Sequence, residues 1–222
     1  MAANARGVLA RVVAACRHAG RDPAGVTIVA AAKTVPAERV RVAVAAGIRV
    51  VGENRVQEAE AKIPLVDGVE WHFIGRLQRN KARRAVGLFE LIHSLDGEAL
   101  ADALDRLGTE RGRPVRALVE VNLGGEASKG GIEPGQLGPF LDRLAGRAGL
   151  RIEGLMTVPP PADTAEGSRR YFAELRALAE RHRLPQLSMG MSDDFEVAVE
   201  EGATLVRVGT AIFGARVPPP GP

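Results

Sequence analysis

The 222-residue sequence contains little cysteine and little aromatic residue, and these shortages exclude several classes of protein. Its one cysteine, Cys16, cannot form a disulfide within the chain, and its apolar neighbours at helical spacing indicate a buried structural thiol. No group of histidine, cysteine and acidic residues has the spacing of a metal site. No apolar run approaches the ~18 residues of a membrane span, and the N-terminus lacks the apolar segment of a signal peptide. We therefore expect a cytoplasmic protein that binds no metal and no membrane.

The charges are nearly balanced, with a formal net charge of +3, which is at most a weak argument for nucleic-acid binding, and we expect none. The basic run from Arg76 to Arg84 has no interleaved aromatic residues, so we interpret it as a solvated helix face rather than an RNA contact. Glycine is abundant, with 26 residues, and this suits a fold with many tight turns between strands and helices.

Short apolar runs alternate with helical patterns along the whole chain, after an amphipathic helix predicted over residues 1–20. The predicted strands are 26–33, 49–53, 70–75, 88–95, 115–123, 150–158, 186–192 and 204–210. Eight evenly spaced units predict an α/β fold, a single (β/α)8 TIM-type barrel with an additional N-terminal helix. An open doubly wound sheet is the alternative. We expect one domain over residues 1–222, a loop and candidate lid at 159–163, and a flexible tail at 217–222.

The first predicted strand ends in Lys33, where a barrel of this type binds its ligands. The chain uses arginine for most of its positive charge, and only Lys33, Lys62, Lys81 and Lys129 are lysines. Arginine cannot form a Schiff base, whereas a lysine amine at this position can attack a carbonyl group. The alternative is a lysine whose side chain extends along the strand end to solvent.

The last two predicted strands indicate an anion site. Gly190 and Ser192 lie at the end of one strand, and Gly209 and Thr210 end the other, so backbone N–H groups and hydroxyls meet where barrels often bind phosphate. Arg207 alternates with the apolar residues of its strand, and a buried unpaired guanidinium would be costly. Its partner is either a carboxylate, such as Glu120 or Glu153, or a ligand.

A strand-end lysine, a phosphate site and an inward arginine together suggest pyridoxal 5′-phosphate as a cofactor, held by Lys33 as an aldimine. Arg207 would lie near the pyridine nitrogen and disfavour its protonation, which weakens the cofactor as an electron sink.

Five motifs resemble those of the pyridoxal phosphate homeostasis proteins, whose barrel is related to the N-terminal domain of alanine racemase. The motifs are AAKTVP at 31–36, GENRVQEAEAKI at 52–63, EWHFIGRLQRNK at 70–81, EGLMTV at 153–158 and SMGMSDDFEVAVEEGATLVRVGTAIFGAR at 188–216. They span almost the whole chain. The resemblance implies that Lys33 carries the cofactor, that Asn54 lines the pocket, that Arg207 faces the pyridine nitrogen, and that the phosphate is held by Ser192, Gly209 and Thr210. We add His72 and Met189, which belong to these motifs, as candidate cofactor contacts.

The resemblance also implies the function. The chain would hold pyridoxal phosphate for intracellular homeostasis, and so for amino-acid and keto-acid balance, and would pass it transiently to apo-enzymes, as a monomer without efficient catalysis. A low-efficiency racemase is one alternative, but racemisation needs a second acid/base group opposite Lys33. The one tyrosine, Tyr171, lies in a predicted helix beside Phe172, where we expect core packing. A class I aldolase-like enzyme without a cofactor is the other alternative. Lys129, flanked by glycine, is either a relay for the cofactor or a surface charge.

Overall fold

The computed structural model describes residues 1–126 and 129–215, so the predicted tail at 217–222 lies outside the described residues. The strands are β1 Thr27–Ala31, β2 Val50–Glu53, β3 Glu70–Phe73, β4 Leu91–Leu95, β5 Val115–Glu120, β6 Leu150–Met156, β7 Gln186–Ser188 and β8 Leu205–Val208. The helices are α1 Ala2–His18, α2 Ala37–Ala45, α3 Val56–Lys62, α4 Ala82–Leu88, α5 Glu98–Glu110, α6 Leu137–Leu144, α7 Arg169–His182, α8 Phe195–Glu200 and α9 Thr210–Phe213.

The eight strands form a closed parallel barrel in the order of the sequence. Pairing of Val29 in β1 with Arg207 in β8 completes the ring. The predicted barrel with an additional N-terminal helix is therefore confirmed, and the open doubly wound sheet is wrong. Most strands end earlier than predicted, because the last predicted residues belong to the turns and helix starts at the top of the barrel: Lys33 lies in a turn after β1, and Thr210 begins α9. The strand predicted at 88–95 begins late, since Leu88 is still part of α4.

Successive side chains of each strand point to opposite faces of the sheet, so the apolar side chains form two layers. Side chains that point into the barrel form a small inner cluster of Val29, Val50, Leu91, Leu118, Met156 and Leu205. Side chains on the other face of the strands pack against the helices and form the large outer core. The inner cluster contains too few side chains to fill the barrel, and polar residues occupy the rest of its interior, among them His93 and Arg207.

Helix α1 packs against α2, α8 and α9 on the outside of the barrel. Its Arg11 makes two hydrogen bonds of 2.7 Å to the carboxylate of Glu196 and lies over the ring of Phe195, 4.5 Å from the ring centre. Cys16 on the same helix is fully buried, as the sequence predicts. Within the described ranges, no helix is both long and apolar enough to span a bilayer.

Candidate functional site

A cavity of about 410 Å³ opens at the carboxyl ends of β1, β2 and β8. The predicted site residues that line it are Lys33, Asn54, Ser192, Arg207, Gly209 and Thr210. The wall is completed by apolar side chains, including Ile74, Val158 and Phe213, with Asp193 as a further charged group. The fold thus brings an amine, a guanidinium and a group of small polar residues to one pocket.

Lys33 lies in a tight turn directly after β1. The Val35 N–H donates to the Ala32 carbonyl at 2.9 Å and closes the turn. Thr34 has a φ of 62°, a left-handed conformation that is unfavourable for a β-branched residue. Its N–H donates to Glu58 Oε2 of helix α3 at 2.8 Å. This bond from α3 helps to hold a strained turn that fixes the backbone of Lys33 at the cavity.

A buried lysine supports the same turn from behind. Lys62 Nζ donates to the Ala32 carbonyl at 2.8 Å, to Glu53 Oε1 at 2.6 Å and to Glu58 Oε2 at 3.4 Å. Burial raises the pKa of Glu53, and the hydrogen bond from Lys62 opposes that rise. The sequence patterns do not predict this cluster as a whole, although the spacing of Glu58 and Lys62 places both on one helix face.

The hydroxyl of Ser192 is an acceptor for two backbone N–H groups at the predicted phosphate site. Its Oγ accepts hydrogen bonds from the N–H groups of Gly209 and Ala211, each at 3.2 Å. A serine hydroxyl has two lone pairs and one proton, so both lone pairs are used and the proton remains to be donated. In residues 1–126 and 129–215 no acceptor takes that proton. A ligand oxygen that enters beside Ser192 would therefore meet a hydroxyl donor.

Arg207 is buried, with 5 % of its surface exposed, and its side chain reaches the cavity wall. Nη1 donates to Ser188 Oγ at 2.6 Å, and Nη2 donates to the Thr157 carbonyl at 2.9 Å. No carboxylate of the described chain forms an ion pair with it. The predicted alternative of a pair with Glu153 is wrong, because Glu153 accepts two hydrogen bonds of 2.9 Å from Arg116 instead.

The charge of Arg207 is consequently available to a ligand. Burial lowers the pKa of Arg207 to about 10, and the negative charges of Glu120 and Asp194 limit that decrease. The side chain is still a cation near neutral pH. A buried cation that has only neutral acceptors within the described protein favours an electron-rich ligand group at the cavity.

His72 and Met189 do not line the cavity. Strand alternation places Met189 in the outer core, between the strands and the helices. His72 points into the barrel, where its Nδ1 lies 2.9 Å from Nε2 of the fully buried His93. Nδ1 of His93 lies 2.8 Å from Ser188 Oγ. His93 also lies outside the cavity.

His93 makes stability depend on pH in a defined direction. Burial, together with the nearby His72 and Arg207, lowers the pKa of His93 well below its usual value. Because the unfolded chain then binds the proton more tightly, this stability is complete above the ordinary histidine pKa of about 6.5 and is lost as pH falls below it. We expect the unfolding free energy of the natural protein, relative to His93→Gln, to fall between pH 7.5 and 5.5 in urea titrations. An unchanged difference would show that His93 is not held neutral.

A second cavity of about 570 Å³ adjoins the first at the top of the barrel, and Val158, Met191 and Asp193 line both. The predicted loop at 159–163 forms much of its wall, together with Lys129. Lys129 Nζ pairs with Glu126 and lies 3.5 Å from the Pro159 carbonyl.

Tyr171 lies on α7, away from both cavities. It is only half-buried, and its hydroxyl accepts a hydrogen bond of 2.7 Å from Arg170. The expected core packing of Tyr171 is therefore only partly correct, since the neighbouring Phe172 is the fully buried residue.

The sequence matches a known protein family. Residues 3–217 match the family described as the alanine racemase N-terminal domain. A pyridoxal phosphate homeostasis protein of Aquifex aeolicus is 45% identical over 217 residues, which cover 94% of this chain and 95% of that protein. Another of the same name, from Pseudomonas aeruginosa, is 44% identical over 220 residues, covering 97% of this chain and 96% of that protein.

Solved structures with the same barrel fold are also similar to this chain. PipY of Synechococcus elongatus, a structure with pyridoxal phosphate bound, has a TM-score of 0.80 and 41% identity, and covers 93% of this chain and 100% of that one. Alanine racemase of Bartonella henselae shares the fold, with a TM-score of 0.71 at 14% identity over 95% of this chain and 59% of that one. On the family match, the relatives and the shared barrel, this chain belongs to the pyridoxal phosphate homeostasis protein family.

Proposed function

We propose that this protein binds pyridoxal 5′-phosphate through a Schiff base to Lys33 and acts as a carrier in pyridoxal phosphate homeostasis. The observation that carries the proposal is that the amine of Lys33 and the buried guanidinium of Arg207 share one cavity with Ser192, Gly209 and Thr210. Relatives at 44% and 45% identity bear the name of this function, and the similar PipY structure holds the same compound.

The residues of the cavity fit the compound at three points. Lys33 supplies the amine that condenses with the aldehyde, with the release of one water molecule. The Ser192 hydroxyl and the turn at Gly209 would hold the phosphate, and Arg207 would donate toward the pyridine nitrogen. When bound, the cofactor supplies an electrophilic carbon and an electron-withdrawing ring.

The same residues favour carriage over catalysis. A cationic Arg207 beside the pyridine nitrogen would disfavour protonation of the ring, and an unprotonated ring would withdraw electrons less strongly. Racemisation also needs a second proton donor on the opposite face from Lys33. The described lining of the cavity contains no tyrosine, histidine or cysteine, and its carboxyl group is that of Asp193. Transient delivery to apo-enzymes follows as the proposed role.

The first experiment is an absorption spectrum of the purified protein after incubation with pyridoxal phosphate. We expect the visible band of a Schiff base in the natural protein and its loss in Lys33→Ala, because alanine has no amine to condense. Lys81→Ala is the matched control, since Lys81 precedes α4 and does not line the cavity, and it should keep the band. A Lys33→Ala protein with the same band would overturn the assignment of Lys33. No band in any variant would favour the aldolase-like alternative.

A second experiment separates a carrier from a catalyst. The loaded protein is mixed with the apo-form of a pyridoxal phosphate enzyme, and recovery of that enzyme's activity is followed. In parallel, L- and D-alanine are incubated with the loaded protein and with free cofactor. Recovery without racemisation above the free cofactor supports the carrier. Racemisation above that level, lost in Lys33→Ala, would instead support the low-efficiency racemase.

A further inference from the structure

A line of hydrogen bonds crosses the interior of the barrel from the cavity to its opposite end. Arg207 Nη1 lies 2.6 Å from Ser188 Oγ, which lies 2.8 Å from His93 Nδ1. His93 Nε2 lies 2.9 Å from His72 Nδ1, and His72 Nε2 lies 3.0 Å from Glu70 Oε1. The line links strands β8, β7, β4 and β3, and neither histidine lines the cavity.

When His72 is neutral, the two ends of this line set the direction of its hydrogen bonds. Arg207 can only donate, so Ser188 Oγ accepts from it. The bond from His72 lowers the pKa of Glu70, which keeps Glu70 a carboxylate that can only accept. A neutral His72 that donates from Nε2 must accept at Nδ1, so His93 donates from Nε2 and accepts from the Ser188 hydroxyl at Nδ1. Every donor then points from Arg207 toward Glu70, and both histidines carry their proton on Nε2.

The far end of the line is itself anchored. Glu70 Oε1 accepts a second, longer hydrogen bond of 3.4 Å from Arg116, and Arg116 is held in turn by Glu153. At the cavity end, Ser188 supplies the one side-chain acceptor found for Arg207 among the described residues, beside the backbone carbonyl of Thr157. The orientation of the guanidinium thus depends on a serine whose own hydroxyl is oriented by a histidine.

We infer that Ser188, His93 and His72 are positioning residues, which hold Arg207 toward the bound ligand and transmit the binding event along a one-way chain of hydrogen bonds. This inference rests on the proposed function, in which the ligand group that would face Arg207 is the pyridine nitrogen. Hydrogen bonds in a connected chain polarise one another, so a new acceptor on Arg207 changes the bond between Ser188 and His93.

Nitrogen NMR of the protein labelled with ¹⁵N-histidine tests the chain directly. In the free protein we expect both buried histidines to carry the proton on Nε2. Saturation with pyridoxal phosphate should shift the Nδ1 resonance of His93. In Ser188→Ala this shift should disappear, and the dissociation constant for the cofactor should rise roughly tenfold, as for the loss of one hydrogen bond to a charged group.

Ser168→Ala is the matched control. It makes the same change at another buried serine, which directly precedes α7 and does not line the cavity that contains Lys33. This variant should keep the shift of His93 and the affinity. If Ser188→Ala does not fold, His93→Gln replaces it, and binding is then read from the resonance of His72.

Three results would overturn the inference. A proton on Nδ1 of His93 in the free protein would mean that the chain runs the other way, with a protonated His72. An unmoved His93 resonance in protein that shows the Schiff-base band would mean that binding is not transmitted, while the proposed function would stand. A shift that persists in Ser188→Ala would remove the serine from the chain. Failure of the proposed function looks different, because the band itself is then missing.

Discussion

Replacement of Lys62 by methionine should lower the unfolding free energy by about 3–5 kcal/mol, the usual cost of removing one partner from a buried ion pair. The reason is that Glu53 is fully buried and Lys62 is the one cation paired with it in the described structure. Methionine has nearly the volume of the lysine stem, so the loss comes from the charge rather than from a cavity. Urea denaturation at pH 7 measures it.

Two further variants show whether the ion pair is the cause. Glu53→Gln in the Lys62→Met background removes the uncompensated charge, and it should recover much of the lost stability. Lys81→Met removes a lysine that lies on the edge of α4, and the unfolding free energy should change by less than about 1 kcal/mol. A loss in Lys62→Met that Glu53→Gln does not reduce would contradict the explanation by charge.

Lys62→Met should also affect cofactor binding in the cavity. Lys62 holds the Ala32 carbonyl, which closes the turn that contains Lys33. Without this bond the strained Thr34 has one support fewer, so we expect the Schiff-base band to form more slowly at a given cofactor concentration. Stability and band formation together would show that Lys62 couples the core to the site.

The sequence predicts the barrel because its strands carry two independent signals. Buried parallel strands are continuous apolar runs, and each is followed by a helical pattern, so eight repeats specify closure without knowledge of any contact. The ends of the strands are less well specified. The residues after β5 and β7 include the apolar Val121, Leu123, Met189 and Met191, and composition does not distinguish them from strand.

The site is predicted to the extent that it follows from strand order. Lys33, Asn54 and Arg207 come from different strands, but the carboxyl ends of parallel strands must meet at one face. The support behind these residues is not predictable in the same way. The hydrogen bonds between Lys62 and Ala32, and between Ser188 and His93, depend on side-chain positions that strand spacing alone does not give.

Met189 and Ser188 show that two neighbouring residues of one segment can have different roles, because their side chains point to opposite faces of the sheet. Met189 lies in a motif that the resemblance places at the pocket, yet alternation turns its side chain to the outer core and turns Ser188 inward. A motif indicates which segment of the chain lies near a site, whereas the pleat of the strand determines which of two adjacent side chains points into the barrel.

Gly75→Ala should both destabilise the protein and weaken cofactor binding. A Cβ atom at Gly75 would lie 2.5 Å from the Asn54 carbonyl oxygen and 2.7 Å from Asn54 Cα. These are backbone atoms, so no side chain can rotate away, and the segment of Asn54 at the cavity must move. We expect a loss of about 1–3 kcal/mol in unfolding free energy, as for overpacking, and a dissociation constant for pyridoxal phosphate that rises about tenfold.

Gly87→Ala is the matched control, and we expect it to change the unfolding free energy in the opposite direction. Gly87 lies in α4, and a Cβ atom there would meet no atom within 4 Å. Gly87→Ala should therefore raise the unfolding free energy by about 0.5–1 kcal/mol through better helix propensity, and should leave cofactor affinity unchanged. If Gly75→Ala loses stability but keeps its affinity, the backbone of Asn54 is not part of the binding site. If both glycine variants lose stability alike, the close approach to Asn54 is not the cause, because a methyl group at Gly87 would touch nothing.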